Sequence, residues 1–317
     1  MHVQHSRLRA IGSMIAAVAV FSCMDALLKF LSAYYPPLQV AALRGAASLP
    51  FTLLPVLIAG RLRELRPHRW PMHLLRGVLT VILLGAFIYA VRELSLANAY
   101  AVFLSAPLIV AALSVPLLGE RSSARTWLAI IVGLAGVLIM LRPSTAGWAS
   151  WGALAALAGA FAYALSALAV RVLTRTESTA SVVFWTVSLM TVIAAALAAP
   201  RWVTIALRHW PWVMALGLVA AVGQHLLTQA FRMAPPSLVA PFEYTALLWG
   251  IAIDRLVWHV LPSARVLAGG SVVIASGLYL IWQERTQVSR LQSRQGRMTP
   301  LSQTDQNVPR QQEEDWP

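Results

Sequence analysis

The chain has 317 residues, 58% of them hydrophobic and 12% charged, with a formal net charge of +13 and one cysteine. Soluble domains carry roughly 25% charged residues, so this composition excludes a water-soluble globular protein and indicates an integral membrane protein. The lone Cys23 excludes a disulfide framework and cysteine-based zinc sites. Most arginines lie at the ends of apolar runs and in the tail, which reads as positive-inside bias rather than a nucleic-acid face.

A spanning helix needs about 20 apolar residues, and ten such segments follow one another. The first five are Ala10–Leu31, Leu38–Ala59, Met72–Val91, Ala97–Leu118 and Thr126–Leu141. The second five are Trp151–Leu173, Ala180–Ala199, Trp210–Ala230, Ser237–Val257 and Ala264–Trp282. Thr126–Leu141 is the shortest. The first run has basic flanks, Arg7 and Arg9, but contains Asp25 and Lys29 and lacks a small-x-small exit. It is expected to be a retained helix rather than a cleaved leader.

Connections are short and polar, among them Tyr34-Tyr35-Pro36-Pro37, Arg61 to Arg69, Gly119-Glu120-Arg121 and Arg142-Pro143-Ser144. A cytoplasmic N-terminus places Arg61, Arg63, Arg66, Arg69, Arg76, Arg121, Arg125, Arg171, Arg175 and Arg232 inside. The outside then receives only Arg92, Arg142, Arg201, Arg208, Arg255 and Arg265. Both termini are therefore expected to be cytoplasmic, in an inner membrane. Trp70, Trp148, Trp151, Trp202, Trp210, Trp212 and Trp282 sit at segment ends, as an interfacial belt does. Residues 284–317 are rich in Gln, Arg and Ser and end in Glu313-Glu314-Asp315, a composition that cannot bury a core and predicts a disordered cytoplasmic tail.

The halves repeat. Gly12 and Phe21 correspond to Gly152 and Phe161, and Ser123-Ala124-Arg125 recurs as Ser263-Ala264-Arg265. Ala106-Pro107 with Glu120-Arg121 pairs with Ala240-Pro241 and Asp254-Arg255, given a six-residue insertion before Ser263. The expected units are residues 10–142 and 150–283. Five spans per unit is an odd number, so the predicted fold is an all-α membrane protein of ten helices in two inverted five-helix repeats. That is an architecture for presenting one central site alternately to each side.

On these residues the chain resembles the drug/metabolite transporter superfamily, in particular its ten-helix group built from two EamA-type domains. The resemblance rests on Asp25-x-x-x-Lys29, the Arg44 after the Pro36-Pro37 turn, Pro107 with Gly119-Glu120-Arg121, Ala240-Pro241-x-Glu243-Tyr244, and Asp254. It covers roughly residues 9–282. It implies a transporter of amino acids, nucleotide-like metabolites, vitamins or sugars, without choosing among them. Ile253-Asp254-Arg255 departs from Gly119-Glu120-Arg121 and puts the second copy's tight turn in doubt.

Charges inside hydrocarbon mark a pathway, relay or binding site. Asp25 and Lys29 share one helix face and are able to pair. At about 1.5 Å per residue, Asp25 lies roughly 8 Å and Arg44 about 9 Å below the outer boundary. One Asp25/Lys29/Arg44 cluster is therefore expected, serving either as a clamp between the first two helices or as a substrate or proton site. The repeat-related positions Leu165, Ala169 and Phe184 are apolar, which favours function, because a clamp would recur in both copies.

Glu243, opposite Ile109 in this register, is the other intramembrane acid and is suited to a cationic group or a proton, or to a hydrogen bond with a neighbouring helix. Trp249 is too deep for the belt and suits packing or stacking on a planar or cationic substrate. Gln224 is the better cavity candidate on the eighth span, and His225 reads as an interhelical hydrogen bond. Arg76 is expected to snorkel to the cytoplasmic interface. Pro107 and Pro241 free carbonyls at repeat-related positions and are candidate hinges or static kinks. Glu120 and Asp254 read as structural residues at span ends.

No nucleotide-binding Gly-rich loop, His-Glu-x-x-His pair or Gly-x-Ser-x-Gly elbow is present. Neither cofactor nor metal is expected. The partners are a small-molecule substrate, the bilayer and, as a candidate coupling ion, the proton; oligomeric state is left open. The function expected is secondary transport of a small polar or amphipathic metabolite, with export of amino-acid-like compounds ahead of uptake. Uptake of a cofactor-like molecule such as S-adenosylmethionine or riboflavin is the first alternative, on a weak likeness of the Asp25/Lys29/Arg44 pattern. A membrane-embedded lipid-processing enzyme using Asp25 and Glu243 is the second. Their estimated separation of half the membrane disfavours it.

Overall fold

The computed structural model describes residues 2–119, 123–141, 150–233 and 236–297. Glu120-Arg121, Arg142-Pro143-Ser144, Trp148 and the tail beyond 297 lie outside the described residues, whereas residues 284–297 of the expected disordered tail are helical. Apolar runs in a bilayer must satisfy every backbone group internally, and all of them fold as helices.

The first three spans are α1 (His2–Ser32), α2 (Pro37–Ile58) and α3 (Trp70–Glu93). Pro37 and Pro71 sit in the first turns of α2 and α3, where a missing N–H has no helical partner to lose. The fourth span is broken: α4 (Leu96–Phe103) and α5 (Ala106–Leu118) are separated by Leu104 and Ser105. The Ser95 side chain accepts from the Asn98 N–H and caps α4. The short fifth span is present as α6 (Ala124–Leu141).

The second half holds α7 (Trp151–Leu173), α8 (Thr179–Ala198), α9 (Trp210–Met233), α10 (Pro236–Val239), α11 (Ala246–Ile253) and α12 (Ala264–Arg297). Ser150 and Ser178 cap α7 and α8. A 3₁₀ turn, Ala240–Thr245, joins α10 to α11, and α11 runs into one π-helical turn, Asp254–Trp258. Among the described residues eight helices, counting α4–α5 as one, are long and apolar enough to cross a membrane, and Ala124–Met140 is a shorter apolar helix. With the broken α10–α11 segment this is the expected ten-span, all-α architecture.

The repeat keeps one register from end to end. α3 and α9 begin at Trp70 and Trp210, α5 and α11 at Ala106 and Ala246, α6 and α12 at Ala124 and Ala264, always 140 positions apart. The left-handed caps obey the same spacing, at Gly119 (φ 69°) and His259 (φ 57°). The pairing of Ala106-Pro107 with Ala240-Pro241 is therefore corrected. Pro107 opens α5, whereas Pro241 opens the 3₁₀ turn that precedes α11, so the two Ala-Pro pairs are six residues out of step and no insertion exists. The second copy does without Gly119 by closing with a π turn and forcing His259 into the left-handed region.

Packing follows the same two-fold relation. The most extensive contacts are α1 with α9, α3 with α7, α6 with α12 and α2 with α8. A shift of 140 converts the first pair into the second and leaves the other two on the axis. Gly77 and Gly217 are twins with the same role: a β-carbon at Gly77 would lie 2.8 Å from the Leu189 β-carbon on α8, and one at Gly217 would fall on the Ala47 carbonyl of α2. One core, including Leu96, Tyr100, Leu108, Ile130 and Val273, lies among α3, α4, α5, α6 and α12. A second, including Leu28, Val40, Ile88 and Leu216, lies among α1, α2, α3 and α9. The intramembrane charges are strung between them.

Candidate functional site

Asp25 and Lys29 leave the same face of α1 for different partners. The Tyr100 hydroxyl of α4 donates to Asp25 Oδ2 at 2.7 Å, and Tyr100 is buried. Lys29, one turn on, donates to Asp254 Oδ1 at 3.3 Å and to the Leu94 carbonyl at 2.9 Å. Its ammonium also lies 4.5 Å from the centre of the Trp258 ring. The expected Asp25–Lys29 pair is thus replaced by Asp25–Tyr100 and Lys29–Asp254. The long lysine stem reaches the π turn of the ninth span, where the fully buried Asp254 also accepts the Ala97 N–H at 2.8 Å. Asp254 is no loop residue. It ties the start of α4 to the end of α11, and its charge is met by Lys29.

Arg44 of α2 lies within electrostatic reach of Asp25. No described carboxylate lies within 4.0 Å of its guanidinium, and its Nε is buried without a hydrogen-bond partner. Desolvating a guanidinium without an ion pair is expensive. Arg44 is therefore the charged side chain of this cluster that the protein leaves incompletely satisfied.

From Tyr100 a row of rings leads away from Asp25. Tyr100 stacks on Phe87 at 6.1 Å, Phe87 meets Phe103 at 5.4 Å, and Phe103 meets Tyr163 of α7 at 5.7 Å. Glu243, in the 3₁₀ turn, lies within electrostatic reach of Tyr163 and of its neighbour Tyr244. Glu243 is exposed, and Trp249 on α11 is half-buried. In the constant register Glu243 stands opposite Phe103, not Ile109. One acid with an unpaired arginine at one end, aromatic rings between, and a second acid at the other end make a polarised track.

The remaining candidates fall off this line. Gln224 and His225 on α9 are exposed, and His225 Nε2 is bonded to Gln229 Nε2 at 2.9 Å within the same helix rather than across helices. Arg76 donates to the Val182 carbonyl of α8 at 3.2 Å instead of snorkelling free. Pro107 and Pro241 occupy the first turns of their segments, where proline interrupts no ladder; the fourth span is interrupted at Leu104 and Ser105, just before Pro107. A cavity of about 260 Å³ beside Asn98, Ser150 and Ser263 has no charged residue in its lining among the described residues. Sequence reasoning missed Tyr100, Trp258 and the burial of Asp254. A hydroxyl near the start of an apolar run, four residues into Ala97–Leu118, was the available signal for Tyr100.

Two copies of a model for the EamA-like transporter family match this chain, at residues 8–142 and 150–283. The chain belongs to that family. It is a multi-pass secondary transporter and not an enzyme, and the lipid-processing alternative falls. A pseudopaline exporter of Pseudomonas aeruginosa is 29% identical over 273 residues, covering 85% of this chain and 95% of that protein. An S-adenosylmethionine uptake transporter of Rickettsia bellii is 25% identical, covering 88% and 96%. A riboflavin transporter of Vibrio cholerae is 26% identical, covering 92% and 98%. A solved crystal structure superimposes with a TM-score of 0.58 at 19% identity, covering 90% of this chain and 99% of the other, a likeness of fold alone.

Proposed function

We propose that this EamA-family protein exports a small polar or amphipathic metabolite across the inner membrane by alternating access, both termini cytoplasmic. The Asp25–Arg44–Tyr100 cluster and Glu243 act as the two ends of its substrate site. The observation that carries the reading is Arg44: a half-buried arginine whose Nε is buried and unpartnered, with no described carboxylate within 4.0 Å, beside an acid already engaged by a tyrosine. Such a group is suited to a substrate carboxylate. Phe87, Phe103 and Tyr163 suit an apolar or planar middle, and Glu243 a cationic end or a coupling proton. A dipolar, amino-acid-like compound matches all three.

The arginine asymmetry supports the orientation, and the similarity to a pseudopaline exporter supports export. Uptake of a cofactor-like substrate is the second reading, favoured by the similarity to uptake transporters for S-adenosylmethionine and to riboflavin transporters.

The test is a thermal-shift screen of the purified protein against a metabolite panel, followed by proteoliposome flux of the compounds that stabilise it. Loss of a charge-assisted contact worth about 1.5–3 kcal/mol predicts that Arg44→Gln weakens apparent affinity roughly 10- to 150-fold. Flux unchanged in both Arg44→Gln and Glu243→Gln removes the site.

A further inference from the structure

The two-fold repeat builds a clasp at each end of the molecule, and both clasps join one half to the other. At the end that holds Lys29, the α1–α2 turn of the first half grips the segment before α9. The Tyr35 hydroxyl accepts from the Ala206 N–H at 3.0 Å and is bonded to His209 Nδ1 at 2.8 Å. Gln39 takes both groups of one residue, accepting from the Val203 N–H at 2.9 Å and donating to its carbonyl at 2.6 Å.

At the opposite end the α7–α8 turn of the second half grips the segment before α3. Glu177 Oε1 accepts from the N–H groups of His68 and Arg69 at 3.0 and 2.9 Å, and Oε2 is bonded to His73 Nε2 at 2.5 Å. Ser178 donates to the Glu64 carbonyl at 2.9 Å and Trp185 to the Leu65 carbonyl at 2.7 Å.

The register makes these two clasps counterparts. A shift of 140 carries the α1–α2 turn onto the α7–α8 turn, and the segment before Trp70 onto the segment before Trp210. The clasping side chains are nevertheless different: Tyr35 and Gln39 become Arg175 and Thr179, and Glu177 becomes Pro37. Common descent of the side chains therefore does not explain why both ends hold the same backbone segment. A shared task does.

In both clasps side chains of one half satisfy loop N–H and C=O groups of the other, groups that water satisfies equally well once the ends part. These contacts are therefore reversible.

We infer that the Tyr35/Gln39 clasp and the Glu177/His73 clasp are the two gates of the transport cycle, each of which must release for the central site to open at its own end. The inference rests on the alternating-access reading and asks nothing of substrate identity. In alternating access the gates compete, so weakening one populates the state open at that end and keeps the other closed.

Amide hydrogen exchange of the full chain in lipid nanodiscs, with no substrate added, reads this directly. Gln39→Ala, losing two hydrogen bonds, should raise exchange at Val203 and Ala206 about tenfold while lowering it at His68 and Arg69. Glu177→Ala should do the reverse. A disulfide between Gln39→Cys and Val203→Cys, in a Cys23→Ser background, should raise exchange at His68 and Arg69 even if Gln39→Ala proves unstable. Exchange that changes only at the altered end, or rises at both ends together, overturns the gates. Failure here with intact Arg44-dependent flux leaves the substrate site standing, whereas loss of both results removes the alternating-access reading of this site.

Discussion

Replacing Asp254 by alanine is the sharpest test of how the charges are partitioned. The carboxylate is fully buried and serves two donors, the Lys29 ammonium at 3.3 Å and the Ala97 N–H at 2.8 Å. Its removal leaves Lys29, whose side chain is 13% exposed, with one carbonyl and the face of Trp258. It also leaves the second residue of α4 without an acceptor. Orphaning a buried charge costs about 3–5 kcal/mol, and an unmet buried N–H about 1–3 kcal/mol more. Asp254→Ala should therefore lose roughly 4 kcal/mol or more, a large part of the about 5–15 kcal/mol by which folded proteins are ordinarily stable.

Asp254→Asn keeps an acceptor for Ala97, and with Lys29→Met no charge is left behind. That double variant should recover most of the loss, giving a coupling energy of about 2 kcal/mol or more in a double-mutant cycle. Unfolding in detergent measures stability, and flux measures function. Additive single losses would refute the ion pair as the organising contact. A double variant that is stable but inactive would return Lys29 to the substrate site.

Other consequences are quicker to check. Tyr100→Phe removes the hydrogen bond to Asp25 and should cost about 1.5–3 kcal/mol in stability or substrate affinity; a thermal midpoint and apparent affinity both within error of the parent would refute that role. At Glu177 burial pushes the carboxyl up, but hydrogen bonds from His73 and the Arg69 and His68 N–H groups hold it below its ordinary 4.5. Its folded value being the lower, its contribution is complete above about pH 4.5 and is lost as pH falls through the folded value. Glu177→Gln should therefore lose less stability than the parent on acidification, and parallel acid curves would refute this. His259→Gly relieves a left-handed non-glycine residue and should leave stability unchanged or raise it by up to about 1 kcal/mol, whereas a large loss would deny the turn its equivalence to Gly119.

Much of the fold was legible because a bilayer leaves the backbone few choices. Apolar length marked the spans, and Ser123-Ala124-Arg125 with Ser263-Ala264-Arg265 fixed the correct spacing for α6 and α12. The Ala-Pro match misled because it ranked two residue identities above helix starts, which side chains encode only through caps such as Ser95 and Ser178. At the site, helical periodicity correctly put Asp25 and Lys29 on one face. It was silent on the distant partners each would find, since Lys29 and Asp254 are 225 positions apart. Composition likewise gave no warning that Glu177, in a short polar turn, is almost entirely buried.

The constant register sharpens what asymmetry means here. Where the halves must pack alike, they match in kind: Gly77 with Gly217, and Gly119 with the left-handed His259. Where the track runs, they do not: Asp25 corresponds to Leu165, Arg44 to Phe184, Tyr100 to Ala240, and Phe103 to Glu243. A two-fold scaffold with a two-fold site would present the same groups to each side and bind a symmetric ligand. On the proposed reading, a two-fold scaffold with an acid–arginine–tyrosine cluster in one half and a lone acid in the other gives a substrate a head and a tail. The gates divide in the same way, since their backbone segments are twins and their side chains are not. Symmetry is kept by the parts that must move between equivalent states and abandoned by the parts that must tell one substrate end, or one side of the membrane, from the other.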